Sequence, residues 1–534
     1  MSKQHIFVNG RIFTSSRSHP YAEAMIVENG NISWIGAQKD LPSLSCPTTD
    51  LKGRRIIPGF ADVHMHPVLL ADCRKKITVM PPDIVSIQDL IQAVRRRRKE
   101  QQAGEWIEGW GYDEEGLLEK RAPNRYDLDQ GSEDSPVIIM RTCAHICSVN
   151  SAALALAGID QDTPDPPGGQ IDRDEKGNPT GILRENARNL VTDLIPPVSM
   201  EKQVQNLLEL GEILTSQGIT TVCDMGILGP GDNFPIFEAA AAKGFRQKTG
   251  VYRMWDFFAD DPSFSIPPEM LDRERQIFAA GIKLIGDGSV SGRTAWMERP
   301  YLGSKTEAGF PVCSDELLES AIRFCKKNRC QLSMHAMGGR AIERIVNRAS
   351  REFSWTGGGI PYVRVEHVTE PSAQSIQRAA AHGISFVTQP VFPYAEIASY
   401  LKNLGSGRVK ECYPIRRLLE MGSNLGFSTD APATFWATPS DPFPGLKFAV
   451  TRRASDGTDC GRDQAVSIQT ALYLYTKGAC LAAGIPRCGM LSPGYRADFA
   501  ALSEDILKTP PEQIDRVRVT GTWIGGELAY GQED

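Results

Sequence analysis

Ile56-Ile57-Pro58-Gly59-Phe60-Ala61-Asp62-Val63-His64-Met65-His66 is an apolar run that ends in two histidines one residue apart. It reads as a β-strand. Residues i and i+2 of an extended chain project to the same side, so both imidazoles can reach one point. Alone, such a pair is commonly an ordinary surface or core pair, and its weight comes from the rest of the chain. Seven more strand-like runs follow: Thr220–Asp224, Gly250–Met254, Gly281–Ile285, Gln331–His335, Val363–His367, Ser385–Gln389 and Leu425–Asp430. Helical stretches separate them. Eight parallel strands alternating with helices close a (β/α)8 barrel, so the expected fold is α/β, a TIM-type barrel over 56–487.

Residues 65–219 are too many for one crossover connection. They are expected to hold a subdomain, 70–210, inserted after the first strand, with its own strand at Pro136–Met140. The two ends differ from the middle. Ile6-Phe7-Val8, Asn9-Gly10 and Arg11-Ile12-Phe13 read as a hairpin, and Ala24–Val27 with Ile32–Ile35 across Asn29-Gly30 as a second. Short strands recur at Asp498–Leu502, Val517–Val519 and Thr522–Ile524. Residues 1–55 and 488–534 are therefore expected to form one small β-sandwich domain built from both termini.

Composition narrows the function classes. The 534 residues carry 59 Lys+Arg against 65 Asp+Glu, a formal net charge of −6, with 41% hydrophobic and 23% charged residues. That is a globular balance, and it removes the electrostatic basis for general nucleic-acid binding. The run Arg95–Arg98 reads as a solvated helix face. No apolar stretch approaches the ~18–20 residues that span a bilayer, and the first residues lead into a strand rather than an apolar signal core. The 12 cysteines are scattered, as expected of reduced thiols. A cytoplasmic protein without nucleic-acid or membrane partners is the expectation.

The chemistry gathers at the strand ends. His335, His367 and Asp430 each close a further strand, so four of the eight histidines fall where a barrel assembles its active site. Lys283 lies inside the fourth apolar strand, where an unpaired ammonium is costly. Burial lowers a lysine's pKa, and the neutral amine can take up carbon dioxide as a carbamate able to bridge two divalent ions. An ion pair with Asp287 or another acid is the alternative.

These motifs resemble the amidohydrolase superfamily, specifically its YtcJ-like branch, which includes N-substituted formamide deformylases. The resemblance covers nearly the whole chain. It rests on Pro58–His66, on His145 followed by Asn150–Leu154, on Pro166–Gly169, on Gly177–Glu185 and on Gly286–Ser289 after the lysine strand. Val363–His367, Ser428–Pro432 and Leu491–Asp498 complete it. It implies a metal centre at the barrel mouth. His64, His66 and Asp430 would hold one ion, His335 and His367 a second, with carboxylated Lys283 bridging if both are present. Zinc suits imidazole and carboxylate ligands, and manganese, iron or nickel also accept them. Metal-activated hydroxide would attack a polarised carbonyl, and Asp430 would take the proton and return it to the leaving nitrogen.

The chain departs from the family pattern at Gly339, where relatives usually carry an acidic residue. His145 could touch the substrate carbonyl or be structural. Tyr112, in a glycine-rich loop, and Arg293 are further substrate candidates beside packing and surface-charge readings, as is Glu185 for a supporting role. The resemblance implies a hydrolase of a C–N bond in an amide, N-substituted formamide or cyclic amide of modest size, and a homodimer. A deaminase or esterase could use the same scaffold. A non-catalytic binding barrel is the alternative from another class.

Overall fold

The computed structural model describes residues 4–142, 146–227 and 231–532. The chain forms two compact units: Met1–Val68 with Leu207–Thr434 and Ser440–Asp534, and Leu69–Asn206 with Phe435–Pro439. The first unit contains an eight-stranded barrel. Its strands are β1 (Phe60–Met65), β2 (Ile219–Asp224), β3 (Lys248–Met254), β4 (Ile277–Ile285), β5 (Gln331–Ala336), β6 (Val363–His367), β7 (Ser385–Thr388) and β8 (Asn424–Phe427). They pair in chain order and every pair is parallel. Nearly every strand residue is buried, which is why the strands read as apolar runs and not as alternating patterns. The barrel is brought round at its ends, where Asp430 N donates to His64 O at 2.7 Å and His66 N to Ala431 O at 2.8 Å.

The opening apolar run is two strands, not one. Arg55–Pro58 pairs with Phe499–Leu502 in a six-stranded sheet, and only Phe60 onward enters the barrel. Gly59 is the joint. A Cβ there would lie 2.2 Å from Thr220 Oγ1, so the chain passes β2 too closely for any side chain.

The hairpin expected over Ile6–Phe13 does not form. Gln4–Val8 pairs with Ala24–Glu28 and Thr48–Asp50, whereas Arg11–Phe13 pairs with Tyr21–Ala22 and Arg55–Pro58. Asn9, at φ 54°, carries the chain from one sheet to the other, so that Phe7 and Ile12 both reach the core between them. The second hairpin does form, with Glu28 opposite Asn31 across Asn29 and Gly30. The two sheets share a core of Phe7, Met25, Ile56, Phe499 and Trp523, drawn from both chain ends.

The second unit is built on a six-stranded mixed sheet that includes Ile107–Tyr112, Val137–Arg141 and Pro179–Glu185. No helix among the described residues is long and apolar enough to cross a membrane.

Candidate metal centre

Six of the residues singled out by sequence come together at the C-terminal ends of β1, β4, β5 and β6 and just after β8. His64 Nε2 and His66 Nε2 each lie 3.4 Å from Asp430 Oδ1. Lys283 Nζ is 3.4 Å from His64 Nε2. The His367 ring lies 4.8 Å from that of His64 and 4.3 Å from that of His335, centroid to centroid. One ligand atom each from His64, His367 and Asp430 falls within 4.8 Å of the others. His367 (φ 72°) and Asp430 (φ 61°) both hold left-handed backbone, a strained conformation that persists where the surroundings over-determine it.

The second nitrogen of each imidazole is taken. His64 Nδ1–H donates to Glu366 Oε2 at 2.6 Å, His66 Nδ1–H to Gly226 O at 2.9 Å, His335 Nε2–H to Gly288 O at 2.9 Å and His367 Nδ1–H to Gln389 Oε1 at 2.9 Å. Each neutral ring therefore keeps one lone pair on its other nitrogen. Burial, reinforced by Lys283, lowers His64 to about 4. Burial also lowers His335, and with the neighbouring histidines holds His367 well below the usual range. At His66 the Asp430 carboxylate outweighs burial and raises the imidazole. Despite its own burial, Asp430 is held below the ordinary carboxylate range by His64, His66 and His367. Burial brings the Lys283 amine down to about 8.

The donor set fits a divalent metal. Among the described residues Asp430 Oδ1 is buried with no hydrogen-bond partner, and it faces the Nε2 atoms of His64 and His66, which carry lone pairs when both rings are neutral with their protons on Nδ1. Lone pairs and a carboxylate converging on one point repel each other unless a cation stands between them.

Lys283 does not pair with Asp287. The Asp287 carboxylate accepts from the backbone N–H groups of Trp296, Met337 and Gly338 at 2.8–2.9 Å. Lys283 is buried and, among the described residues, without an ion-pair partner; the Glu366 and Asp430 carboxylates act on it electrostatically.

Tyr112 is buried in the core of the second unit beside Ile107, Leu128 and Ile139, with Ser148 Oγ donating to its hydroxyl at 3.2 Å. Arg293 is bound to Glu307 at 2.7 Å and stacks on the Tyr301 ring. Glu185 is exposed. His145 lies outside the described residues. At Gly339 a Cβ would come within 3.0 Å of the Glu298 side chain and of Glu370 O, so Glu298 covers the space that a side chain there would enter.

Sequence reasoning passed over the groups that hydrogen-bond the candidate ligands and their strand ends: Glu366, Gln389 and Asp62, which accepts from Thr429 N at 3.1 Å. One signal was available for Glu366. Arg364 and Glu366 are two charged residues in a strand otherwise composed as core.

Residues 48–530 match the amidohydrolase family model. The chain belongs to the amidohydrolase family. YtcJ of Bacillus subtilis (strain 168), assigned as an amidohydrolase, is 30% identical over 98% of this chain and 99% of its own. The N-substituted formamide deformylase of Arthrobacter pascens is 26% identical over 98% of both chains. Among solved structures, an uncharacterised metal-dependent hydrolase from Pyrococcus horikoshii OT3 superposes with a TM-score of 0.74 at 25% identity, covering 95% of this chain and 99% of that one. This amidohydrolase is thus a hydrolase acting on C–N bonds, on a fold shared with metal-dependent hydrolases.

Proposed function

We propose that the protein hydrolyses the C–N bond of an amide, N-substituted formamide or cyclic amide of modest size. The proposed metal centre is held by His64, His66, Lys283, His335, His367 and Asp430. The observation that carries this reading is the buried Asp430 Oδ1, without a hydrogen-bond partner among the described residues, facing the Nε2 atoms of two imidazoles at 3.4 Å. Zinc is the metal these nitrogen and oxygen donors suit first. When bound, the metal supplies Lewis acidity to the substrate carbonyl and lowers the pKa of water. Lys283, buried and among the described residues without an ion-pair partner, would be carboxylated and so add an anionic ligand to the set.

The proton traffic belongs to Asp430. Its carboxylate is ionised at neutral pH and, among the described residues, keeps one oxygen free of hydrogen bonds. It accepts the proton of the attacking water and delivers it to the leaving nitrogen. The formamide deformylase among the relatives supports a small N-acyl substrate. The eleven described cysteines that remain free thiols support a cytoplasmic setting.

Elemental analysis of protein purified without added metal tests the centre, alongside His64→Ala, Lys283→Ala and Asp430→Ala. The expected result is about one or two equivalents of transition metal in the parent and a loss of metal in each variant. N-formyl amines and other amides are then screened for release of the amine. A parent without metal that gains no activity on reconstitution would overturn the reading.

A further inference from the structure

The four imidazoles of the cluster are not held alike. His66 and His335 donate their second N–H to backbone carbonyls, and His367 donates to a side-chain amide. His64 donates to a carboxylate, Glu366, at the shortest of the four distances, 2.6 Å, whereas the Asp287 carboxylate stands 3.5 Å from His335 Nε2.

Glu366 has no freedom to do anything else. It is fully buried, and so is Arg364 two residues before it on the same face of β6. Glu366 Oε1 accepts from Arg364 Nε and from Ser333 Oγ, the latter at 2.6 Å. Arg364 Nη2 also donates to Glu366 Oε2 at 3.1 Å and to Val63 O, in β1, at 2.5 Å. The guanidinium lies over the Tyr252 ring, and its Nη1 donates to the Tyr252 hydroxyl at 3.3 Å. Every hydrogen-bonding direction of the carboxylate is thus used by β5, by β6 and by His64.

Stability does not account for such a pair. A buried ion pair gains little over well-packed apolar side chains of similar volume, because desolvation offsets the Coulomb attraction. Its position is informative: it lies against a candidate ligand, and the arginine reaches the backbone one residue before that ligand. A carboxylate behind a ligating imidazole fixes the ring and its tautomer and makes the free nitrogen a stronger donor.

We propose that Glu366, held in place by Arg364, is a positioning residue that makes His64 the anchoring ligand of the metal centre. The nearest acceptors behind the other three histidines are neutral, with the Asp287 carboxylate farther off, 3.5 Å from His335 Nε2. This inference rests on the metal reading above.

The test measures metal affinity directly, by competition between the apo-protein and a chromophoric zinc chelator, and records the visible spectrum of the cobalt(II)-loaded protein. Three variants are compared with the parent. Glu366→Gln keeps the shape and removes the charge. Glu366→Asp keeps the charge opposite Arg364 and withdraws it from His64 by one methylene. Gln389→Met removes the neutral acceptor behind His367. Circular dichroism of each apo-protein reports the fold.

Both Glu366 variants are expected to fold, to lose zinc affinity by about 10- to 100-fold, and to shift the cobalt spectrum. Gln389→Met is expected to lose several-fold less. Folded Glu366 variants that bind zinc within twofold of the parent would overturn the inference. So would a loss in Gln389→Met equal to that in Glu366→Gln. If neither Glu366 variant folds, the pair is a structural element and the inference is wrong. A parent that binds neither metal removes the metal reading itself, whereas a parent that binds zinc beside unaffected variants removes only the role of Glu366.

Discussion

Asp441 carries a charge the fold does not favour. It caps the helix Pro442–Thr451 by accepting from Phe443 N at 3.0 Å, and burial lifts its carboxyl to about 6. A folded-state pKa above the unfolded value of about 3.8 means that the native form binds the proton more tightly. The resulting stabilisation is complete below pH 3.8 and is lost as pH rises through 6. Asparagine caps a helix as well as aspartate and carries no charge. Asp441→Asn should therefore unfold close to the parent at pH 4 and be more stable at pH 7.5, by on the order of 1–2 kcal/mol. Thermal unfolding across that range checks it, and an offset independent of pH would refute the titration. The same scale separates what could be read in the chain from what could not. The six clustered positions were legible because histidine, lysine and aspartate are rare at the ends of apolar strands. The hydrogen-bond acceptors behind the rings, Gly226, Gly288, Gln389 and Glu366, lie on other strands and loops, so the barrel's curvature is what pairs each with its ring, although the charge of Arg364 and Glu366 inside a core-like strand was itself a signal.

Elements behave differently, because their boundaries depend on close approach more than on composition. Pro58-Gly59 punctuates Ile56–His66, but composition does not say that the two halves serve different sheets, as they do. The division is enforced by Thr220, whose side-chain oxygen and carbons would lie 2.2–2.9 Å from a Cβ at Gly59. Gly59→Ala should cost about 1–3 kcal/mol, the usual range for overpacking, as measured by urea unfolding. Thr220→Gly should recover much of that loss, and a double-mutant cycle should show coupling above about 1 kcal/mol. Additive effects would mean that the contact does not set the joint. The crossing at Asn9 and Gly10 makes a related point. An Asn-Gly pair between two short apolar runs signals a turn, but it does not say whether the second run returns along the first or moves to a facing sheet. Phe7 and Ile12 meeting in one core decide for the latter.

Across the whole molecule, the candidate centre and the closure of the barrel are one problem. The ladder of parallel pairs runs from β1 through to β8, and the turn after β8 meets the end of β1 through the Asp430 N–His64 O and His66 N–Ala431 O bonds. Both bonds join candidate metal ligands or their immediate neighbours. The side chains at this seam, His64 and His66 on one side and Asp430 on the other, bring lone pairs and a carboxylate together across it. A bound cation would convert that repulsion into a clamp, whereas its removal leaves two backbone hydrogen bonds working against it. Local opening should therefore be concentrated at the seam when metal is stripped. Hydrogen exchange followed by mass spectrometry on apo and zinc-reloaded protein measures this. Peptides covering 60–66 and 424–434 should exchange about tenfold or more faster in the apo form, corresponding to about 1.4 kcal/mol of lost protection. Peptides from the first halves of β4 and β5, away from the centre, should change little. Uniform loss of protection around the barrel would place the metal's contribution in global stability. No change on stripping would mean that the seam holds without it.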